Sequence, residues 1–209
     1  MGKFSDGFRG NVMGSVQTTY ADQPGQAVAG MLAFASDENN CDAVIIGETN
    51  GIEAGKGVQF IALTESATQM QRPAVSAFLP DGDEAAAAMA GIVVWEPAMQ
   101  SMADADGNPI NGWAKGRVAR ILRPGRGGGR IYVKAKDEVL PGSSTVNWVI
   151  AVGSDAKYEL GEFAPGVLNS GTVGTTVAIA NAAWITDADA NGLAIIELYG
   201  TVVPTLGSE

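Results

Sequence analysis

Short apolar runs separated by turn-forming residues dominate the hydropathy pattern of this chain. Residues 42–47, 57–63, 74–79 and 91–95 are rich in aliphatic side chains, and each run is bounded by Gly, Pro, Asn or Asp. That is the signature of short strands rather than helices. Beyond Trp113, the runs 114–122, 130–136, 145–152 and 157–163 follow one another about every dozen residues, the spacing of sandwiches and barrels. They are joined by 124–129, 141–144 and 153–155, all Gly-, Pro- or Ser-rich. A run at 175–183, a turn at 187–192 and a long apolar strand at 193–203 close the chain. The pattern predicts a mainly β fold with little helix, a β-barrel or jelly-roll-like body. Amphipathic helices do not alternate with the strands, which argues against a parallel βαβ architecture.

Two segments break this rhythm. Residues 12–20 alternate loosely, carry little charge and hold too few large side chains to form a core. Residues 1–25 therefore read as an extended N-terminal arm, ending in the turn Asp22-Gln23-Pro24-Gly25, and residues 26–209 as the body. The acidic stretch 80–84 leads into the Ala-rich 85–90 and stops at Gly91, the pattern of an acid-capped helix of two turns or of an extended loop lying over another surface. The polar stretch 102–109 marks where the body would divide if it forms two subdomains, with a boundary near 101–112.

The chain has 209 residues and 21.4 kDa, of which 46% are apolar and 17% charged, with 28 Gly and 9 Pro. This composition excludes a disordered chain and a coiled coil. Zero His and one Cys exclude zinc fingers, zincins and the Ser-His-Asp and Cys-His hydrolases. Cys41 has no intrachain disulfide partner, which fits a reducing compartment. The N-terminus lacks the apolar segment of a secretory signal. The longest near-apolar stretch, 85–95, is 11 residues, where a bilayer span needs about 20. A soluble protein is expected.

Charge changes the picture more. Eight of 13 basic residues, Lys115, Arg117, Arg120, Arg123, Arg126, Arg130, Lys134 and Lys136, fall in a window of 22 that contains no acid. The other 187 residues carry 5 basic and 23 acidic side chains, net −18. Such a window faces an acidic partner surface, faces phosphate, or pairs with the acidic remainder of its own fold. Base stacking is poorly supplied, because Tyr132 is the only aromatic residue in it.

Motifs that would carry chemistry fail on inspection. Asp187-Ala188-Asp189-Ala190-Asn191-Gly192 begins like a calcium loop, but Leu198 stands where the bidentate Glu belongs, so an Asx-type hairpin turn is expected. Asp104-Ala105-Asp106-Gly107-Asn108 fails in the same way at Pro109. Gly51-Ile52-Glu53-Ala54-Gly55-Lys56-Gly57 is one residue short of a phosphate loop and has Gly57 in place of its hydroxyl. Trp95, Trp113, Trp148 and Trp184 sit in apolar runs, where packing is the default. No catalytic, cofactor-binding or metal-ligating residue emerges, and no cofactor is expected.

Several segments resemble one family. Gln26-Ala27-Val28-Ala29-Gly30-Met31, then Ile52-Glu53-Ala54-Gly55-Lys56-Gly57-Val58, is similar to the opening of the structural cement, or decoration, proteins of tailed-phage capsids. Gly91-Ile92-Val93-Val94, Arg130-Ile131-Tyr132-Val133, the Pro141-Gly142 turn, Gly161-Glu162-Phe163 and Gly192-Leu193-Ala194-Ile195-Ile196-Glu197-Leu198 resemble its later landmarks. The chain departs from that pattern at Gly142-Ser143-Ser144-Thr145-Val146, where the family would show an acid followed by Pro. The resemblance spans about residues 12–203. It implies a non-enzymatic protein made in the host cytoplasm and carried on the outer surface of an icosahedral virion. It further implies contact with the major capsid protein and with other copies of the chain, and no membrane or direct nucleic-acid partner. Combined with the charge pattern, the candidate contact residues are Val12, Met13, Val16 and Tyr20 of the arm and Lys115, Arg117, Arg120, Arg123, Arg126 and Arg130 of the basic window. The alternative is a barrel that binds nucleic acid or an anionic glycan through 115–136.

Overall fold

A computed structural model describes residues 27–62, 75–82, 88–97, 112–124, 129–167, 174–199 and 204–205. The proposed arm, residues 1–25, lies outside them, as does the proposed boundary near 101–112 except for Gly112. Among the described residues the fold is mainly β, with one 3₁₀ helix, Ala35–Asn40.

Among the described residues, fourteen strands are arranged in four sheets. The first seven are β1 (Cys41–Ile46), β2 (Ile52–Glu53), β3 (Gly57–Ala62), β4 (Val75–Phe78), β5 (Met89–Val93), β6 (Gly112–Trp113) and β7 (Val118–Leu122). The order β1-β4-β3-β5-β7 closes into a five-stranded barrel, with β1 antiparallel to β7 and parallel to β4, while β2 pairs with β6. The remainder are β8 (Gly129–Lys134), β9 (Asn147–Ala151), β10 (Phe163–Ala164), β11 (Thr175–Ile179), β12 (Ala182–Trp184), β13 (Leu193–Leu198) and β14 (Pro204–Thr205). These form the sheets β10-β9-β11-β14 and β12-β13-β8. Residues 30–33 extend the second of these along β8, with Leu32 opposite Ile131.

Strand alternation builds two cores from shared strands. Val44, Ile46, Val58, Ala77, Val93, Ala119 and Ile121 make one cluster from the barrel strands. On β5 and β7 the neighbours Ile92 and Leu122 belong to a second cluster with Ile131, Trp148, Phe163, Trp184 and Ile196. The barrel wall is thus apolar on both faces where the other sheets cover it, and this interlocks the barrel with the rest of the body. Gly57 marks the closest approach: a Cβ there would lie 2.6 Å from Trp148 Nε1 and 3.0 Å from Phe163 Cζ. Trp113, Trp148 and Trp184 are buried, as their apolar runs predict, and Trp95 packs at the edge of the barrel cluster.

Several strand expectations need correction. Residues 157–163 are not a strand: Gly161 adopts φ +80° and Glu162 Oε2 accepts the Glu159 N–H at 2.8 Å, so the segment turns and only Phe163–Ala164 pairs. The 85–90 helix does not run to Gly91, because Met89 and Ala90 already belong to β5; residues 83–87 lie outside the described ones. Gly91 is there for close packing, since a Cβ would sit 2.6 Å from Leu122 O. The single run 175–183 splits at Asn181 (φ 61°) into β11 and β12, which serve different sheets. The run 114–122 is a turn followed by β7, and β13 ends at Leu198.

Candidate interaction surface

The basic window does not form one stripe. β7 is a barrel strand and β8 belongs to the three-stranded sheet, so the cations of 115–136 are divided between two sheets and meet different acids. Arg120 pairs with Glu96 beyond β5, and Arg123 with Asp42 of β1 at 2.9 Å. Arg130 pairs with Glu197, its register partner on β13, at 3.0 Å and lies over the Phe34 ring at 5.4 Å. Arg126, Val12, Met13, Val16 and Tyr20 lie outside the described residues.

Lys134 and Lys136 enter a mixed-charge cluster where the barrel meets the following loops. Lys56 Nζ donates to Glu159 Oε2 at 2.6 Å, Lys134 Nζ to Glu53 Oε2 at 3.2 Å, and Lys136 Nζ lies 2.6 Å from Glu162 Oε2. The Glu162 side chain is only 2% exposed. The Gly57 N–H to Gly161 O bond, 2.7 Å, ties the same loop to the start of β3. The Lys56 ammonium holds the Glu159 carboxyl below its ordinary range. Burial would lower the Lys134 value, but the Glu53 carboxylate more than offsets it and the net direction is up. Gly51–Gly57, the near-miss phosphate loop, therefore has a structural role: Glu53 and Lys56 are both committed to this cluster.

Lys115 and Arg117 behave differently. Every other described cation sits in an ion pair with a described acid, whereas among the described residues the Lys115 ammonium reaches only the Thr49 hydroxyl, at 3.4 Å. Both occupy the turn before β7, held by the bonds Gly116 N–H to Ile46 O (2.8 Å) and Ile46 N–H to Arg117 O (2.9 Å). Val118, which follows, is 61% exposed, the most exposed large hydrophobic residue among those described. The turn thus presents two cations and one aliphatic side chain from a backbone pinned to β1.

A second feature was not anticipated from the sequence. An open groove of about 310 Å³ runs between the turn after β8 and the loop after β10, lined by Asp137, Glu138, Leu140, Ser144, Pro165 and Val167. Leu140 is 54% and Val167 53% exposed. Asp137 is held by Lys157 and by the Tyr158 hydroxyl at 2.8 Å, and the Lys157 bond draws its carboxyl below the ordinary range. Glu138 makes no ion pair with a described cation. The one sequence signal was a large aliphatic residue set directly before the Pro141-Gly142 turn, where polar residues are usual.

The remaining candidates resolve structurally. Asp189 Oδ1 accepts the N–H groups of Asn191 (2.8 Å) and Leu193 (2.9 Å), the Asx turn expected at 187–192. Cys41 is half-buried beside Asp37 O, and burial raises its thiol to about 11. Among the described residues no group of three or more acidic or thiol side chains is arranged to hold a metal.

No curated protein matches the sequence. Among solved structures, a chain from the capsid of Myoviridae phage XM1 has the same fold, with a TM-score of 0.53 at 17% identity over 88% of this chain and 98% of that one. Residues 16–199 match the structural cement proteins typified by E217 gp24 and Pam3 gp6. The mainly β body with its closed barrel, and a match running through nearly all of it, lead to one conclusion: the chain belongs to the structural cement protein family and is a structural protein of a phage capsid.

Proposed function

We propose that this protein binds the outer surface of an assembled icosahedral capsid and holds neighbouring major capsid subunits together, alongside further copies of itself. The work is done by interface, without turnover of a substrate. A clamp that spans two subunits contributes binding free energy that disappears when they separate, so it stabilises the assembled state by mass action. Separate contacts on one chain raise each other's effective concentration, and the lattice is bound in preference to loose subunits.

The observation that carries this reading is the division of labour among the cations. Five of the basic-window side chains, Arg120, Arg123, Arg130, Lys134 and Lys136, are neutralised within the fold, which dismantles the phosphate-facing stripe that the nucleic-acid or glycan alternative needs. Lys115 and Arg117 remain directed outward, beside an exposed valine, on a rigid turn. That is a small, cationic, partly apolar contact suited to an acidic protein surface.

Shells lacking this protein, incubated with it, provide the test. The wild-type chain is expected to saturate discrete sites, to raise the temperature at which particles release DNA, and not to bind unassembled subunits. Lys115→Glu/Arg117→Glu and a deletion of residues 1–20 should each lower occupancy, the former with a weakened salt dependence. Wild-type protein that fails to occupy shells would overturn the reading.

A further inference from the structure

We infer that, in the particle, the turn 114–118 of one copy docks into the groove between Leu140 and Val167 of a neighbouring copy. Val118 meets Leu140 and Val167, and Lys115 or Arg117 pairs with Glu138. The inference rests on the function proposed above and names the acidic surface that the turn faces.

The two surfaces are complementary in each respect that the structure specifies. The turn leads into the most exposed large aliphatic side chain among the described residues, next to the two described cations that pair with no described acid. The groove offers two half-exposed aliphatic side chains beside Glu138. Its other acid, Asp137, is already engaged by Lys157 and Tyr158, which leaves Glu138 as the carboxylate to receive a cation. The turn and one rim of the groove are preformed. The turn is pinned to β1, and the Leu140 side of the groove is fixed by the Ser144 N–H to Leu140 O bond (2.9 Å) and the Leu140 N–H to Ser144 Oγ bond (3.1 Å). Docking therefore orders little backbone at the turn and along the Leu140 side.

The geometry of the contact follows from its two different halves. A knob that fits a groove elsewhere on the same chain is either exchanged reciprocally between two copies about a two-fold axis or repeated head to tail from copy to copy, closing into a ring where the rotation allows. A contact built on one valine and one or two ion pairs is far smaller than the roughly 1,000 Å² of a stable interface. It forms where a shell holds copies side by side at high effective concentration, and not between free chains in dilute solution.

The test uses full-length Val118→Cys and Val167→Cys chains, bound to shells separately and as a mixture, and treated with a short bis-maleimide. Wild-type protein controls for the half-buried Cys41. A cross-linked dimer is expected only with the mixture. A second measurement follows co-binding of Glu138→Arg chains with Arg117→Glu chains, in which reversal on both sides should restore occupancy that Arg117→Glu alone loses. Cross-linking of Val118→Cys to itself, its cross-linking to the major capsid protein, or full occupancy with no mixed dimer would each overturn the inference while leaving cement function intact. Failure of wild-type protein to occupy shells would overturn the function and this contact together.

Discussion

Lys136 and Lys115 belong to the same acid-free window and carry the same charge, yet they serve opposite ends. At the junction between the barrel and the loops that follow β8 and β9, Lys136 meets a carboxylate that is almost wholly withdrawn from water, and Lys56 and Lys134 are engaged close by. At the turn before β7, Lys115 and Arg117 face outward and meet no described acid. A buried charge without a partner costs several kcal/mol, so the fold supplies one; an exposed charge costs little and is available to another molecule. The difference between the two regions is therefore one of burial, and it separates cations that hold the body together from cations that no described acid engages.

The strongest way to break this comparison is at the junction. Lys136→Met should remove about 3 kcal/mol of folding stability, the low end of the cost of stranding a buried charge, because Glu162 would keep only the Glu159 N–H. Guanidinium unfolding measures it. A loss below about 1 kcal/mol, the range of exposed pairs, would mean that the junction behaves as ordinary surface. Replacing both partners, Lys136→Met/Glu162→Leu, should recover part of the loss, since no carboxylate is then left stranded.

A smaller effect sharpens the same contrast through pH. Lys56 draws the Glu159 carboxyl below its ordinary 4.5. A carboxyl whose value is depressed in the folded state contributes stability that is fully present above the ordinary value and is lost as pH falls through the folded one. Glu159→Gln should accordingly melt below wild type at neutral pH, with the gap closing below about pH 4. A gap independent of pH would indicate lost packing rather than a lost ion pair.

Much of this body could be read before any coordinates. Strands β8 and β13 alternate buried and half-buried residues along their length, and period-2 alternation depends on local sequence alone. Sheet membership does not. Arg130 and Glu197, like Lys56 and Glu159, are brought together by topology across 67 and 103 residues, so the window's charge and the option of pairing within the fold were legible while the particular partners were not. Gly91 illustrates a second limit, since glycine serves both to end a helix and to admit a neighbouring backbone. The groove escaped notice for a third reason: Leu140 and Val167 lie on separate loops, and each alone is an unremarkable exposed aliphatic residue.

The smallest expected effect lies at the turn, and there the near-absence of change is itself the result. Lys115→Ala/Arg117→Ala removes two exposed cations with no described acidic partner, and surface substitutions of that kind stay within about 0.5 kcal/mol. Chemical unfolding should show the double variant and the wild type nearly superimposed, while attachment to shells weakens and becomes less sensitive to salt. Conserved folding with impaired attachment is the signature of side chains kept for a partner. A stability loss comparable to that of Lys136→Met would instead make the turn a second junction, with acids beyond the described residues supplying what Lys115 and Arg117 meet, and the contrast between the two regions would vanish.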